Sequence, residues 1–227
     1  MESVRAVTGS GMLLAFSLVA TPLQAQQPEG FEPYLGMKDQ FEISLPVGWS
    51  VYDQGAVLSG KPSKTGLPIV FSSELIDGEA MKSGGGQAVE KVLKQLSGVE
   101  VGAISGFSLE RVPAKKGTSC NGFDKKAEKK LLALLGTDPM FGSGRTIREK
   151  PHAEPAAIGG CQGIRVRGKG TTSTGEGKML DVFAVSDGEV LFLFVLRNLD
   201  ENYPKIVGTF EKAISTLKLA AAPTGGK

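Results

Sequence analysis

The stretch Phe41 to Trp49, reading Phe-Glu-Ile-Ser-Leu-Pro-Val-Gly-Trp, constrains this chain more than any other. Apolar Phe41, Ile43 and Leu45 alternate with polar Glu42 and Ser44, the period of two that turns one face of a strand to a core and the other to water. Pro46 and Gly48 then stop the strand and bend the chain, and the single tryptophan, Trp49, falls just past the bend. Ser50 to Gln54 reads as the return strand, so an entry hairpin through Leu45 to Trp49 is expected.

Such a strand needs a core to face, and 227 residues with 41% hydrophobic content supply one. The 31 glycines and 12 prolines gather between apolar runs, which assigns them to long loops. Ahead of the strand, Arg5 precedes the apolar run Met12 to Ala20, too short to cross a bilayer, and Pro22 and Ala25 follow. This is the pattern of a signal peptide, 1–25, cut near Ala25, and no later run reaches the roughly 20 apolar residues of a membrane helix. Losing 1–25 removes Arg5 and Glu2, leaving 25 basic and 23 acidic residues, a balance of +2 with none of the basic surplus of a nucleic-acid binder. Cys120 and Cys161 are an even pair in an exported chain, which favours one disulfide closing a loop of about forty residues. Two unpaired small hydrophobes are the other reading of the same pair.

Further along, Gln26 to Lys38 is a polar arm until Tyr34 and Leu35, and Leu67 to Ser72 is a third strand. Gln87 to Leu96 repeats Ala88, Val92 and Leu96 every four residues, a helix with one apolar stripe. One or two short strands are expected within Val99 to Val112. In Phe123 to Gly136, Asp124 is placed as an N-cap, Ala127, Leu131, Leu134 and Leu135 share a face, and Gly136 ends the helix. Lys125, Lys126, Lys129 and Lys130 fall opposite that face. Pro151 to Gly160, with His152 and Pro155, reads as loop, and the region of about 113–160 as an insertion that the cysteines would pin. The C-terminal part is clearest: strands at Gly163 to Arg167, Lys178 to Val185 and Glu189 to Arg197, with a two-residue turn at Asp187-Gly188. Leu191 to Leu196 is apolar throughout and predicts a central strand covered on both faces. Tyr203 to Leu217, with Ile206, Phe210 and Ile214, predicts a closing helix over the sheet, and 220–227 is a tail.

The Phe41 to Trp49 motif, the closing hairpin Asp181 to Val195 and the helix from Tyr203 together resemble the PsbP-like superfamily. The likeness covers roughly Phe41 to Ser72 and Gly163 to Leu219. It implies an α+β fold, an antiparallel β-sheet flanked by helices in an α/β/α sandwich, over one domain at 39–219. Many bacterial members are secreted domains of unknown function, and the family has no shared catalytic motif to transfer.

Chemistry is sparse in what remains. A single histidine, His152, rules out a two-histidine metal site and makes any nucleophilic triad depend on it alone. His152 beside Cys161 would be a thiol with its base only if Cys161 were free. Lys64-Thr65-Gly66 and Ser215 to Lys218 echo penicillin-binding serine hydrolases in the wrong order. Ser83 to Gly86 is followed by no Gly-Lys-Ser/Thr, and Gly175 to Lys178 is followed by Met179 where a hydroxyl is needed, so neither completes a phosphate loop. Trp49 and Tyr52 either line a pocket or pack a sheet edge. The expectation is therefore an exported, non-enzymatic domain, periplasmic or secreted, with no catalytic, cofactor-binding or metal-ligating residue, that binds a protein partner or small ligand. Lys125, Lys126, Lys129 and Lys130 are its candidate partner surface. Two rivals are a hydrolase using a thiol or a carboxylate among Glu74, Asp77 and Glu79, and peripheral membrane association through the lysine-rich helix.

Overall fold

The computed structural model describes residues 28–36, 40–53, 68–74, 87–96, 105–136, 147–171 and 175–220. Among these, β1 (Phe31–Gly36), β2 (Phe41–Pro46), β3 (Ser50–Asp53) and β4 (Ile69–Ser72) lead to helix α1 (Gln87–Leu96). Strand β5 (Gly106–Pro113), the short β6 (Thr118–Ser119) and β7 (Gly122–Phe123), and helix α2 (Lys125–Gly136) follow. Four long strands come next, β8 (Ile147–Ile158), β9 (Cys161–Thr171), β10 (Gly177–Ser186) and β11 (Val190–Leu199), then α3 (Tyr203–Ser215) and β12 (Lys218–Leu219). The expected signal peptide, Lys64-Thr65-Gly66, Asp77, Glu79, Ser83 to Gly86 and tail residues 221–227 lie outside the described residues.

A seven-stranded antiparallel sheet in the order β3-β4-β5-β11-β10-β9-β8 forms the centre. Strand β11 is central, as its unbroken apolar run predicts, and its side chains alternate between two cores. Phe192, Phe194 and Leu196 join the larger core with Ile206, Phe210 and Ile214 of α3 and with Phe41, Ile43 and Leu45 of β2. Leu191, Leu193 and Val195 face the other way, toward Leu131 and Leu135 of α2. Each fully buried Leu or Phe contributes roughly 1.5–3 kcal/mol by leaving water. Phe210 is packed by rings on two sides, Phe107 at 5.0 Å and Phe183 at 5.4 Å between centroids. The result is an α+β fold whose antiparallel sheet carries a helix on each face. Helix α1 presents Val92 inward and ties to the end of β4 through Lys91 and Glu74, 3.3 Å apart.

Four expectations need correction. Strands β2 and β3 do not form a hairpin. Both edges of β2 are taken, by β1 and by β12, in a separate three-stranded sheet. The turn closed by Trp49 N–H to the Pro46 carbonyl, at 3.1 Å, passes the chain to the large sheet, where β3 pairs with β4. Second, part of the polar arm is strand: β1 pairs with β2 from Phe31↔Pro46 to Gly36↔Phe41, and the Tyr34 ring meets Phe71 at 5.8 Å while Leu35 stays exposed.

Third, Pro151 to Ile158 is not loop but most of β8, the edge strand beside β9, within the region read as an insertion at 113–160, and only Gly159-Gly160 turn the chain. An edge strand needs backbone donors on one side only, so Pro151 and Pro155 are tolerated, and the register slips between Glu149 and His152, next to Pro151. Fourth, the β10–β11 turn sits one residue later than Asp187-Gly188. Asp187 N–H bonds the Val190 carbonyl at 3.2 Å, leaving Gly188-Glu189 as the two turn residues, with Gly188 at φ +103°. The Asp187 carboxylate instead accepts from the N–H groups of Glu189 and Val190, at 2.8 and 2.7 Å.

Candidate functional site: an apolar groove beside the lysine-bearing helix

Helix α2 begins as its sequence predicts. Asp124 Oδ1 accepts the Ala127 N–H at 2.7 Å, satisfying a donor that the first helical turn leaves open. Gly117, at φ +93°, comes so close beneath that a Cβ there would strike the Asp124 carboxylate. Ala127, Leu131 and Leu135 are buried against the sheet, and Lys125, Lys126, Lys129 and Lys130 are exposed.

Leu134 departs from its expected place. Grouped by the sequence with the buried face, it is 53% exposed. One helical step of about 100° before Leu135, it turns away from the buried face and borders a groove of about 280 Å³. Ala127, Leu131 and Lys130 form the helix side of this groove, Leu191 of β11 also lines it, and Val112 to Lys115 at the end of β5 and just beyond, with Thr118 and Phe123, contribute the rest. Apolar atoms dominate the lining, while Lys115 and Lys130 bring the charge.

The disulfide fixes one wall. Cys120, in the turn between β6 and β7, is bonded to Cys161 at the start of β9, and Gln162 N–H donates to the Cys120 carbonyl at 2.8 Å. In the chain-entropy description a link across 41 residues stabilises by about 4 kcal/mol. The segment carrying Thr118 and Phe123 is thereby tied to the sheet. The bond also removes the thiol rival, because the Cys161 sulfur is consumed. His152 lies elsewhere as well, opposite Arg167 and roughly 20 Å along β9 from Cys161 at strand spacing. Its Nδ1 is 3.4 Å from Glu149 Oε1, at the surface.

A second polar cluster sits at the other helix. Asp181, fully buried in β10, accepts two bonds from Arg165, from Nε at 2.9 Å and Nη2 at 2.5 Å, and a third from the Tyr203 hydroxyl at 2.6 Å. Arg165 also reaches Glu211 of α3 at 2.7 Å and lies 4.8 Å from the centre of the Phe183 ring. The bonds to Asp181 hold the Arg165 guanidinium above its ordinary value, and burial, then the same carboxylate, pushes the Tyr203 phenol up. With both Asp181 oxygens engaged below α3, the cluster clamps helix to sheet rather than facing a cleft. On β5, burial draws the Arg111 guanidinium down, with Asp53 and Tyr34 opposing in part.

The remaining candidates are structural where they are described. Trp49 packs on Phe107 at 6.0 Å and Tyr52 is buried, so both belong to the sheet rather than to a pocket. Glu74 pairs with Lys91. The Ser215 hydroxyl donates to the Lys212 carbonyl at 2.7 Å while Lys218 pairs with Glu42 of β2, so that serine and lysine are each engaged elsewhere. Lys178 is buried within β10 and is no phosphate-loop lysine. Among the described residues no His, Cys, Asp or Glu side chains are grouped to hold a metal ion, and no helix is long and apolar enough to cross a membrane. The groove itself was missed by sequence reading. Its one local trace is Leu134 next to the lysine face; the rest is assembled from segments far apart in the chain.

No family model and no curated protein matches this chain. Solved structures do. The chain is similar to a protein from Bacteroides thetaiotaomicron at 12% identity and TM-score 0.45 over 87% of its own length, and it spans about half (51%) of that protein. It is similar to LpqN, involved in cell envelope biogenesis of Mycobacterium tuberculosis, at 13% identity and TM-score 0.42, covering 84% of this chain and 90% of that one. It is also similar to the PsbP protein CyanoP of Synechocystis, at 12% identity and TM-score 0.46, covering 88% of this chain and 99% of that one.

Proposed function

We propose that residues 39–219 act as one exported, non-enzymatic domain that holds a partner or small ligand in the groove between α2 and the end of β5. The observation that carries this reading is the groove itself, an open apolar concavity with lysines at its rim. Concave, mostly apolar sites with a few polar groups are where proteins bind ligands. Leu191 of the central strand lines it and one wall is tied down by a disulfide, so the site is largely preformed and loses little entropy on binding. Export is supported by that disulfide, because such bonds persist in oxidising compartments, and by the signal-like pattern of 1–25.

Nile red, a neutral apolar dye, tests the groove in the disulfide-intact chain of residues 26–227. Its fluorescence should rise on binding and the rise should be lost in Leu134→Glu. Leu35→Glu, which alters an exposed apolar side chain of β1, should leave it unchanged. Equal binding by both variants, or none by the parent protein, refutes the groove as a site.

A further inference from the structure

We infer that the occupant of this groove is an acidic segment of a protein partner, which seats one bulky apolar side chain between α2 and β5 and lays its carboxylates on the lysines to either side. This rests on the groove being the binding site and adds the chemistry of what it takes.

The charge around the groove differs from that of the chain as a whole. Residues 113–136 contain six lysines (Lys115, Lys116, Lys125, Lys126, Lys129, Lys130) and two acids (Asp124, Glu128), a balance of +4 against +2 for all 227 residues. The other residues therefore sum to −2, and the basic surplus is local. All six lysines are exposed, and no carboxylate among the described residues forms an ion pair with them. Of the two acids, Asp124 is committed to capping the helix, which leaves Glu128 as the other carboxylate among these lysines.

Where the charges lie selects the kind of partner. Lys115 is on the β5 side and Lys130 on the helix side, so the apolar strip runs between cations. From Lys125 to Lys130 the row extends about 7.5 Å along the helix. An amphiphile with one head group asks for cations gathered at one end of a long apolar channel. Cations on both sides of a short strip fit carboxylates flanking a central apolar side chain. The volume agrees: about 280 Å³ lies at the lower end for small-molecule pockets and accommodates one large anchoring side chain, the arrangement that dominates affinity in protein interfaces. Lying flat on a bilayer is disfavoured because α2 has already spent its apolar face on the sheet, through Ala127, Leu131 and Leu135. Lysines at the rim would raise the association rate of an acidic partner and make it sensitive to salt.

The probe is a short synthetic peptide of Asp and Glu around one Phe, added to the disulfide-intact chain of residues 26–227 and followed by amide chemical shifts. Shifts should move at Val112, Phe123 and Leu134. Affinity should fall about tenfold when the peptide's Phe becomes Ala, and again on raising salt. The double variant Lys126→Glu/Lys130→Glu should lose the acidic peptide and prefer one in which Lys replaces the acids. That reversal cannot come from misfolding. Nile red binding without acidic-peptide binding overturns the acidic partner and leaves the groove; loss of both overturns both. Equal affinity for the basic peptide, or binding to phosphatidylglycerol vesicles in its place, also overturns the acidic partner.

Discussion

The Tyr203 hydroxyl, at the first turn of α3, donates to Asp181 Oδ2 at 2.6 Å, and that carboxylate is fully buried in β10. A charge so placed is tolerable only because Arg165 neutralises it with two bonds and Tyr203 supplies a third. The helix that closes the larger core is thus positioned by polar bonds as well as by Phe210.

Breaking this clamp from one side should be costly. Asp181→Ala leaves the Arg165 guanidinium, itself mostly buried, without its main partner, and a loss of roughly 3–5 kcal/mol in urea unfolding is expected. The double variant Arg165→Met/Asp181→Leu should recover most of that loss, since an apolar pair of similar size avoids the desolvation of two charges. A double variant no more stable than Asp181→Ala would show that the clamp does more than neutralise itself.

Alkaline pH should expose the same bond. The Tyr203 phenol is raised above its ordinary value of 10.0, by burial first and then by Asp181, so the fold favours the neutral form. Its contribution is whole below about pH 10, the unfolded value, and is lost as pH climbs through the folded value. Unfolding midpoints between about pH 8 and pH 11 should fall less steeply in Tyr203→Phe than in the parent protein. Some slope should remain, because burial also raises Tyr34 and Tyr52. Parallel curves for the two proteins would contradict the assignment.

Much of this arrangement was legible in local pattern. The unbroken run Leu191 to Leu196 announced a central strand, and Asp124 followed by four-residue spacing announced α2. Prolines misled. Pro33, Pro151 and Pro155 read as loop, yet an edge strand accommodates them, and which strand is an edge depends on the whole sheet. The separation of β2 from β3 was hidden for a similar reason, because β12 lies far along the chain from the strand it pairs with. Arg165, Asp181 and Tyr203 are ordinary polar residues until three elements bring them together. The groove is the extreme case. It exists only where α2, the end of β5 and β11 meet, and no short window of sequence contains it.

Gly117 and Asp124 should behave as one unit. Gly117→Ala demands a left-handed backbone of alanine and drives its methyl into the capping carboxylate. A loss of about 1–3 kcal/mol is expected from strain and the disturbed cap. Asp124→Ala alone should lose about 1 kcal/mol. The double variant should lose less than the two single losses added together, because Asp124→Ala removes the carboxylate that the new methyl strikes. Strict additivity in urea unfolding would mean that Gly117 is needed for its backbone angle only.

Reduction should loosen the groove before it unfolds the chain. Cys120 is exposed, so dithiothreitol can reach the bond, whereas Cys161 is buried at the sheet. The Cys120→Ser/Cys161→Ser variant should unfold about 4 kcal/mol more easily in urea, the contribution expected of a 41-residue link. Under native conditions its most weakened amides should be local, in the β6–β7 turn and the first turn of α2, since the sheet core does not depend on the bond. Amide hydrogen exchange should therefore quicken at Thr118, Gly122 and Phe123 while Phe194 and Val195 stay protected. Nile red binding should weaken in step, because Thr118 and Phe123 line the groove. Exchange that quickened evenly across β10 and β11 would instead make the disulfide a brace for the whole sheet.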